Sequence, residues 1–147
     1  MKRRRVDPIA ALRTLGMART LSKNEQNALS VVYWAALDAM SRGHGDETHF
    51  DSLAGAVNLA LVLAERAANN ADAIALIQSA QEALMRAQQR SKTLGRYGFD
   101  GLGYAAVQAV LDIHDQQLAL CTGKEMIDAM DEAIRRMRAG HVFEVSA

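Results

Sequence analysis

The chain has 147 residues, half of them apolar but only 5% aromatic, and its 17 basic and 17 acidic side chains cancel. That length supports one domain with a core of its own, without disulfides or a structural metal. Zero net charge excludes a molecule that grips polyanions through its overall field, so any nucleic-acid contact has to rest on a local patch.

Cys121 is the only cysteine, which rules out an intrachain disulfide and suits a reducing compartment. The basic start is followed by an apolar run over residues 9–12 that is too short for a secretory signal. The longest apolar stretch, residues 53–64, carries Asn58 and falls short of the ~20 residues a bilayer-spanning helix needs. By elimination, a soluble cytoplasmic protein with no membrane contact is expected.

In chain order, residues 1–7 form a basic N-terminal arm with Lys2, Arg3, Arg4 and Arg5, and residues 8–147 read as a single helical domain. The only proline, Pro8, follows Asp7. An aspartate cap followed by a proline whose missing N–H costs nothing predicts a short first helix over about residues 8–16. Ser22 with Glu25 makes a capping box that opens a second helix through Leu29, Val32, Tyr33, Ala36, Leu37 and Met40, ended by Gly43. A loop over residues 43–47 follows, and Thr48 with Asp51 is expected to open a third helix that ends near Asn69 and Asn70.

The fourth helix is expected over about residues 71–94, stopping at Gly95. After a second loop, Asp100 caps a fifth helix through Tyr104, Val107, Val110, Leu111, His114 and Leu118. Thr122 with Glu125 is another capping box, so a sixth helix is expected over about residues 123–139, closed by Gly140. Residues 141–145 read as a short extended tail. The fold class is all-α, a bundle of about five to six helices with a short extended C-terminal tail.

Residues 31–37 and 53–64 are apolar around almost the whole helix, whereas a bundle helix normally shows water a polar face. One such helix can be central; two call for extra cover. A homodimer is therefore expected, with Val31, Trp34 and Asn58 as self-association residues. Asn58 has to be paired, either fixing register with a partner chain or bonding a neighbouring helix.

Sites for chemistry are sparse. His44, Asp46, His49 and Asp51 are metal-ligand types, yet they equally suit a polar turn and a helix start, where negative charge is favoured; no metal is expected. In Asp112-Ile113-His114-Asp115, adjacent positions face different ways. A half-buried His114 donating to a neighbour is the expected role. Cys121 directly precedes the Thr122 cap, and the positive end of that helix could lower its pKa somewhat, but no histidine stands near it in sequence, so a small packed thiol is expected. Gly98, Gly101 and Gly103 precede a helix without a preceding strand, which reads as loop and tight packing rather than a phosphate cradle. No catalytic residues and no cofactor are expected.

Positive charge is uneven. Residues 1–20 hold six Lys/Arg against one acid. Arg86, Arg90, Lys92 and Arg96 form a second group, and Arg135, Arg136 and Arg138 a third at a helix end where the dipole favours cations. The first two groups together could contact phosphates or an acidic partner.

Residues Met1-Lys2-Arg3-Arg4-Arg5-Val6-Asp7-Pro8, Met17-Ala18-Arg19-Thr20-Leu21-Ser22 and Gly140-His141-Val142-Phe143-Glu144-Val145 together resemble small helical proteins carried by phages and plasmids of proteobacteria. The resemblance implies an accessory protein that acts by binding a host or rival macromolecule, inhibition of defence complexes included. It transfers no functional residue. The expected function is a non-catalytic protein-binding module that inhibits or modulates a host or defence complex. The alternative is a nucleic-acid-binding regulator that uses the basic arm and the Arg86/Arg90/Lys92/Arg96 face.

Overall fold

The computed structural model describes residues 18–140. The basic arm with Lys2, Arg3, Arg4 and Arg5, the helix expected over residues 8–16 and the tail expected over residues 141–145 all lie outside the described residues. Five helices follow one another: α1 (Lys23–Ser41), α2 (Glu47–Glu65), α3 (Ala71–Leu94), α4 (Gly101–Leu120) and α5 (Gly123–Arg138). Among the described residues β-structure is confined to two isolated bridges, Thr20 with Thr122 and Gly45 with Tyr97. The fold is an all-α bundle. No helix among the described residues is long and apolar enough to cross a membrane.

Local chemistry sets the helix ends. At α1 the Glu25 N–H donates to Ser22 Oγ (3.2 Å) and the Ser22 N–H donates to Glu25 Oε1 (2.9 Å). Thr122 and Glu125 repeat the exchange at α5, at 3.1 Å in both directions. A cap of this kind contributes about 1 kcal/mol. Gly95 ends α3 at φ 68°, a left-handed position that glycine enters without steric penalty.

The start of α2 differs from expectation. Its cap is Asp46, not Thr48: the His49 N–H donates to Asp46 Oδ1 (2.9 Å) and the Asp46 N–H donates to His49 Nδ1 (3.2 Å). Aspartate outranks threonine as a cap, and the imidazole supplies the reciprocal acceptor that a glutamate usually provides. Thr48 lies inside the helix as a result.

The central helix is α2, which packs against α1, α3, α4 and α5. That position accounts for its all-round apolar character, because Leu53, Val57 and Ala60 are fully enclosed and Leu61, Val62 and Ala64 are buried within one chain. The most extensive interface joins α3 to α4. Small side chains permit it: Ala80, Ala83 and Ala87 of α3 are buried, and a Cβ on Gly103 of α4 would stand 3.1 Å from that of Ala83. Residues 31–37 are divided instead. Tyr33, Ala36 and Leu37 point into the core, while Val31 and Val32 are 63% and 55% exposed.

A polar hub fixes α1 to α4. Asp115 accepts hydrogen bonds from Ser30 Oγ (2.8 Å), from Trp34 Nε1 (2.9 Å) and from the Tyr33 hydroxyl. Burial first, and then the Asp115 carboxylate, raise the Tyr33 pKa, so the phenol stays a donor throughout the working pH range.

Candidate functional site

Both α1 and α5 lie against α2, with no extensive interface between the two. The result is an open groove of about 780 Å³ whose floor is α2. Ala28, Leu29 and Val32 of α1 form one wall; Met130, Ala133, Ile134 and Met137 of α5 form the other. Ala54, Gly55, Asn58 and Leu59 make the floor, with Tyr33 and His114 lining it as well.

The shape follows from the sequence of each helix. On α5, Met126 and Ile127 are buried against the bundle, whereas Met137 is 56% exposed, so the apolar face is wider than its contact with α2 covers. On α2, Gly55 is exposed, and a Cβ built there would meet nothing within 4 Å. Glycine inside a helix costs about 1 kcal/mol relative to alanine, and here it leaves the floor without a side chain at its open point. Met130 and Met137 put flexible, unbranched side chains on one wall.

His114 is the one strongly polar ring at this site. It is buried at 2% exposure rather than half-buried, and its ring centre lies 5.4 Å from that of Tyr33. Its Nδ1 sits 2.9 Å from Gln117 Oε1, while Gln117 Nε2 donates to the Ala60 carbonyl at 3.0 Å. Because the Gln117 amide nitrogen is committed as a donor, its oxygen accepts, and the network places the imidazole proton on Nδ1. Burial holds the His114 pKa below its ordinary value, so the ring is neutral at pH 7.

The α5 wall is mounted at both ends. At its start the Gly123 N–H donates to the Arg19 carbonyl (3.0 Å), beside the Thr20–Thr122 bridge. At its end Arg136 makes a bidentate pair with Glu65 of α2 (2.6 and 3.1 Å) and a third bond to Glu132 (2.9 Å). Arg135 and Arg136 together hold the Glu132 carboxyl down at about 2.

The residues singled out in the sequence fall in different places. Asn58 is on the groove floor, and its Oδ1 accepts from Gln81 Nε2 of α3 at 3.1 Å, so its pairing is with a neighbouring helix. Trp34 is half-buried with its N–H on Asp115, and Val31 is exposed; neither lines the groove. Arg86 and Arg90 turn toward Asp100 (3.4 and 3.8 Å), and Arg90 Nη2 also donates to the Gly98 carbonyl at 2.8 Å. They therefore brace the loop before α4, and of the expected basic face Lys92 and Arg96 are the remaining exposed cations.

Asp46 and His49 are occupied by the α2 cap, and His44 and Asp51 are exposed. No group of three or more metal-ligating side chains comes together among the described residues. Cys121 is a buried, packed thiol, as expected. Burial, aided by the Glu125 charge, pushes its thiol up to about 11, so desolvation outweighs the helix end.

The chain matches no family model, no curated protein and no solved structure.

Proposed function

We propose that this protein is a non-catalytic protein-binding module that receives an apolar helical segment of another protein in the groove between α1, α2 and α5. The observation that carries the reading is the open floor at Gly55 between two apolar helix walls. Helix-in-groove recognition uses this geometry, with apolar anchors at i, i+3, i+4 and i+7 entering a hydrophobic channel. The volume also falls in the ~300–1,000 Å³ range of ligand sites, but two helical walls favour an elongated occupant. In this reading the protein is cytoplasmic and homodimeric, with Val31 on the outer side of α1 available for self-contact. The partner is a host or defence complex that an accessory protein of a mobile element inhibits or modulates. That last part rests on the resemblance of residues 1–8, 17–22 and 140–145.

The test is Gly55→Trp in the full chain, a substitution that fills the floor where no neighbour stands within 4 Å. A protein partner captured by the wild type should bind this variant at least about tenfold more weakly, with circular dichroism unchanged and moderate salt tolerated. Equal capture by both forms would overturn the reading. Sub-micromolar, sequence-selective DNA binding at physiological salt, steeply weakened by added salt, would put the nucleic-acid regulator in its place.

A further inference from the structure

The groove has in its depth a hydrogen-bond acceptor that no protein group serves. His114 belongs to α4, which packs on both α1 and α2 and forms neither wall, yet its buried ring reaches the groove lining together with Leu118. Its Nδ1–H is committed to Gln117, which leaves Nε2 as a lone-pair acceptor on a neutral ring. No hydrogen bond within the described residues ends on Nε2. Nor is Nε2 among the side-chain atoms sealed from solvent without a partner, so it meets the groove.

The polar groups around it do not compensate. The Tyr33 hydroxyl is spent on Asp115, and Asn58, the other polar residue of the floor, has its oxygen on Gln81 and is only half-buried. While the groove is solvated, water donates to Nε2. An occupant that seats on the floor expels that water, and a wholly apolar one leaves the acceptor buried and unpaired, which costs affinity instead of adding to it. The fitting occupant therefore brings a donor to this point.

The choice of donors is narrow. An ammonium or guanidinium would carry charge in among apolar side chains at a large desolvation cost. A hydroxyl or a side-chain amide brings acceptor lone pairs of its own, which aliphatic walls cannot satisfy. An indole N–H is a donor with no acceptor beside it, on a ring that gains from burial against Leu29, Val32, Met130 and Ile134. Trp34 is the chain's only tryptophan and its N–H is already on Asp115, so neither this chain nor a second copy of it supplies the ring.

We propose that the partner segment received by the groove carries a tryptophan whose indole N–H donates to His114 Nε2. The inference rests on the groove being the docking surface proposed above and names the deepest anchor of its guest. Gln117 is the positioning residue: held by the Ala60 carbonyl, it fixes the tautomer that turns the lone pair of Nε2 to the groove.

The probes are indole and benzothiophene, two rings of the same shape of which the second lacks the N–H, titrated into the full chain and followed by NMR. Benzothiophene is the more apolar, so burial alone would favour it. Wild type should instead bind indole about fivefold more tightly, the worth of one hydrogen bond. His114→Phe should abolish or reverse that preference. Because this change also strips Gln117 of its partner, the same bond is read in the wild type: indole should move the nitrogen-15 resonance of His114 Nε2 far more than that of Nδ1, and benzothiophene should leave Nε2 nearly in place. Equal binding of the two probes, each weakened by Gly55→Trp, would overturn the indole anchor and leave the docking surface standing. An indole preference that persists in His114→Phe, or that leaves Nε2 unmoved, would also overturn it. If neither probe binds at millimolar concentration the anchor fails, and the docking surface is then decided by the capture comparison between wild type and Gly55→Trp.

Discussion

The two sides of α2 are built from neighbouring residues and behave as different materials. On the side facing the bundle interior, Leu53, Val57 and Ala60 have no exposure at all. On the other, Gly55 is open and Asn58 is half-buried. The first side converts apolar area into stability. The second forgoes that gain, retaining a glycine where alanine would strengthen the helix. One helix thus carries both the core and the groove floor, and neighbours such as Val57 and Asn58 fall on opposite sides of the boundary.

That contrast can be broken most severely at Leu53. Leu53→Ala should destabilise the protein by about 2–5 kcal/mol, the cost of lost burial plus a residual cavity, read as a lower urea midpoint. Asp115→Ala comes next. Removing the shared acceptor strands the Trp34, Tyr33 and Ser30 donors, and a loss of about 1–3 kcal/mol is expected. Asp115→Asn keeps an acceptor oxygen and should recover part of it.

His114 sharpens the comparison through pH. Its folded-state pKa lies below the ordinary 6.5 because the ring is buried, so the unfolded chain takes up this proton first as pH falls. Stability is therefore full above 6.5 and declines below it, with a slope of up to ~1.4 kcal/mol per pH unit until the folded state also binds the proton. His114→Gln should flatten that slope in urea titrations between pH 7 and 5, even where it lowers stability overall. The smallest effect belongs to the open side and has the opposite sign. Gly55→Ala should raise stability by about 0.5–1 kcal/mol, because it meets no neighbour and restricts the unfolded chain. A loss there would mean that the floor is already covered.

What the sequence revealed and what it hid divides along the range of the interactions. Ser22 with Glu25, Thr122 with Glu125, and Asp100 all act within three residues, so the ends of α1, α5 and α4 are legible directly. The α2 start misled because Asp46 and Thr48 compete for one helix, and the winner depends on His49 serving as an acceptor, a role more often taken by glutamate. Asp115 was unreadable for another reason. Its three donors lie more than 80 positions away on α1, and only the packing angle of α1 on α4 brings them together. The groove depends on a missing contact between α1 and α5, which no pattern inside either helix encodes. A partial signal existed in Met130, Ile134 and Met137, an apolar set wider than one supporting helix can cover.

The mounting of α5 has a mechanical consequence. The wall is clamped differently at its two ends: a backbone hydrogen bond from Gly123 to the Arg19 carbonyl at one, the Arg136–Glu65 ion pair at the other. Dissolved salt leaves the first clamp untouched and screens the second only in part, because its side chains are about a quarter exposed (24% and 26%). Added salt should therefore loosen the Met137 end of the wall before the Thr122 end, a gradient that amide hydrogen exchange along α5 would show.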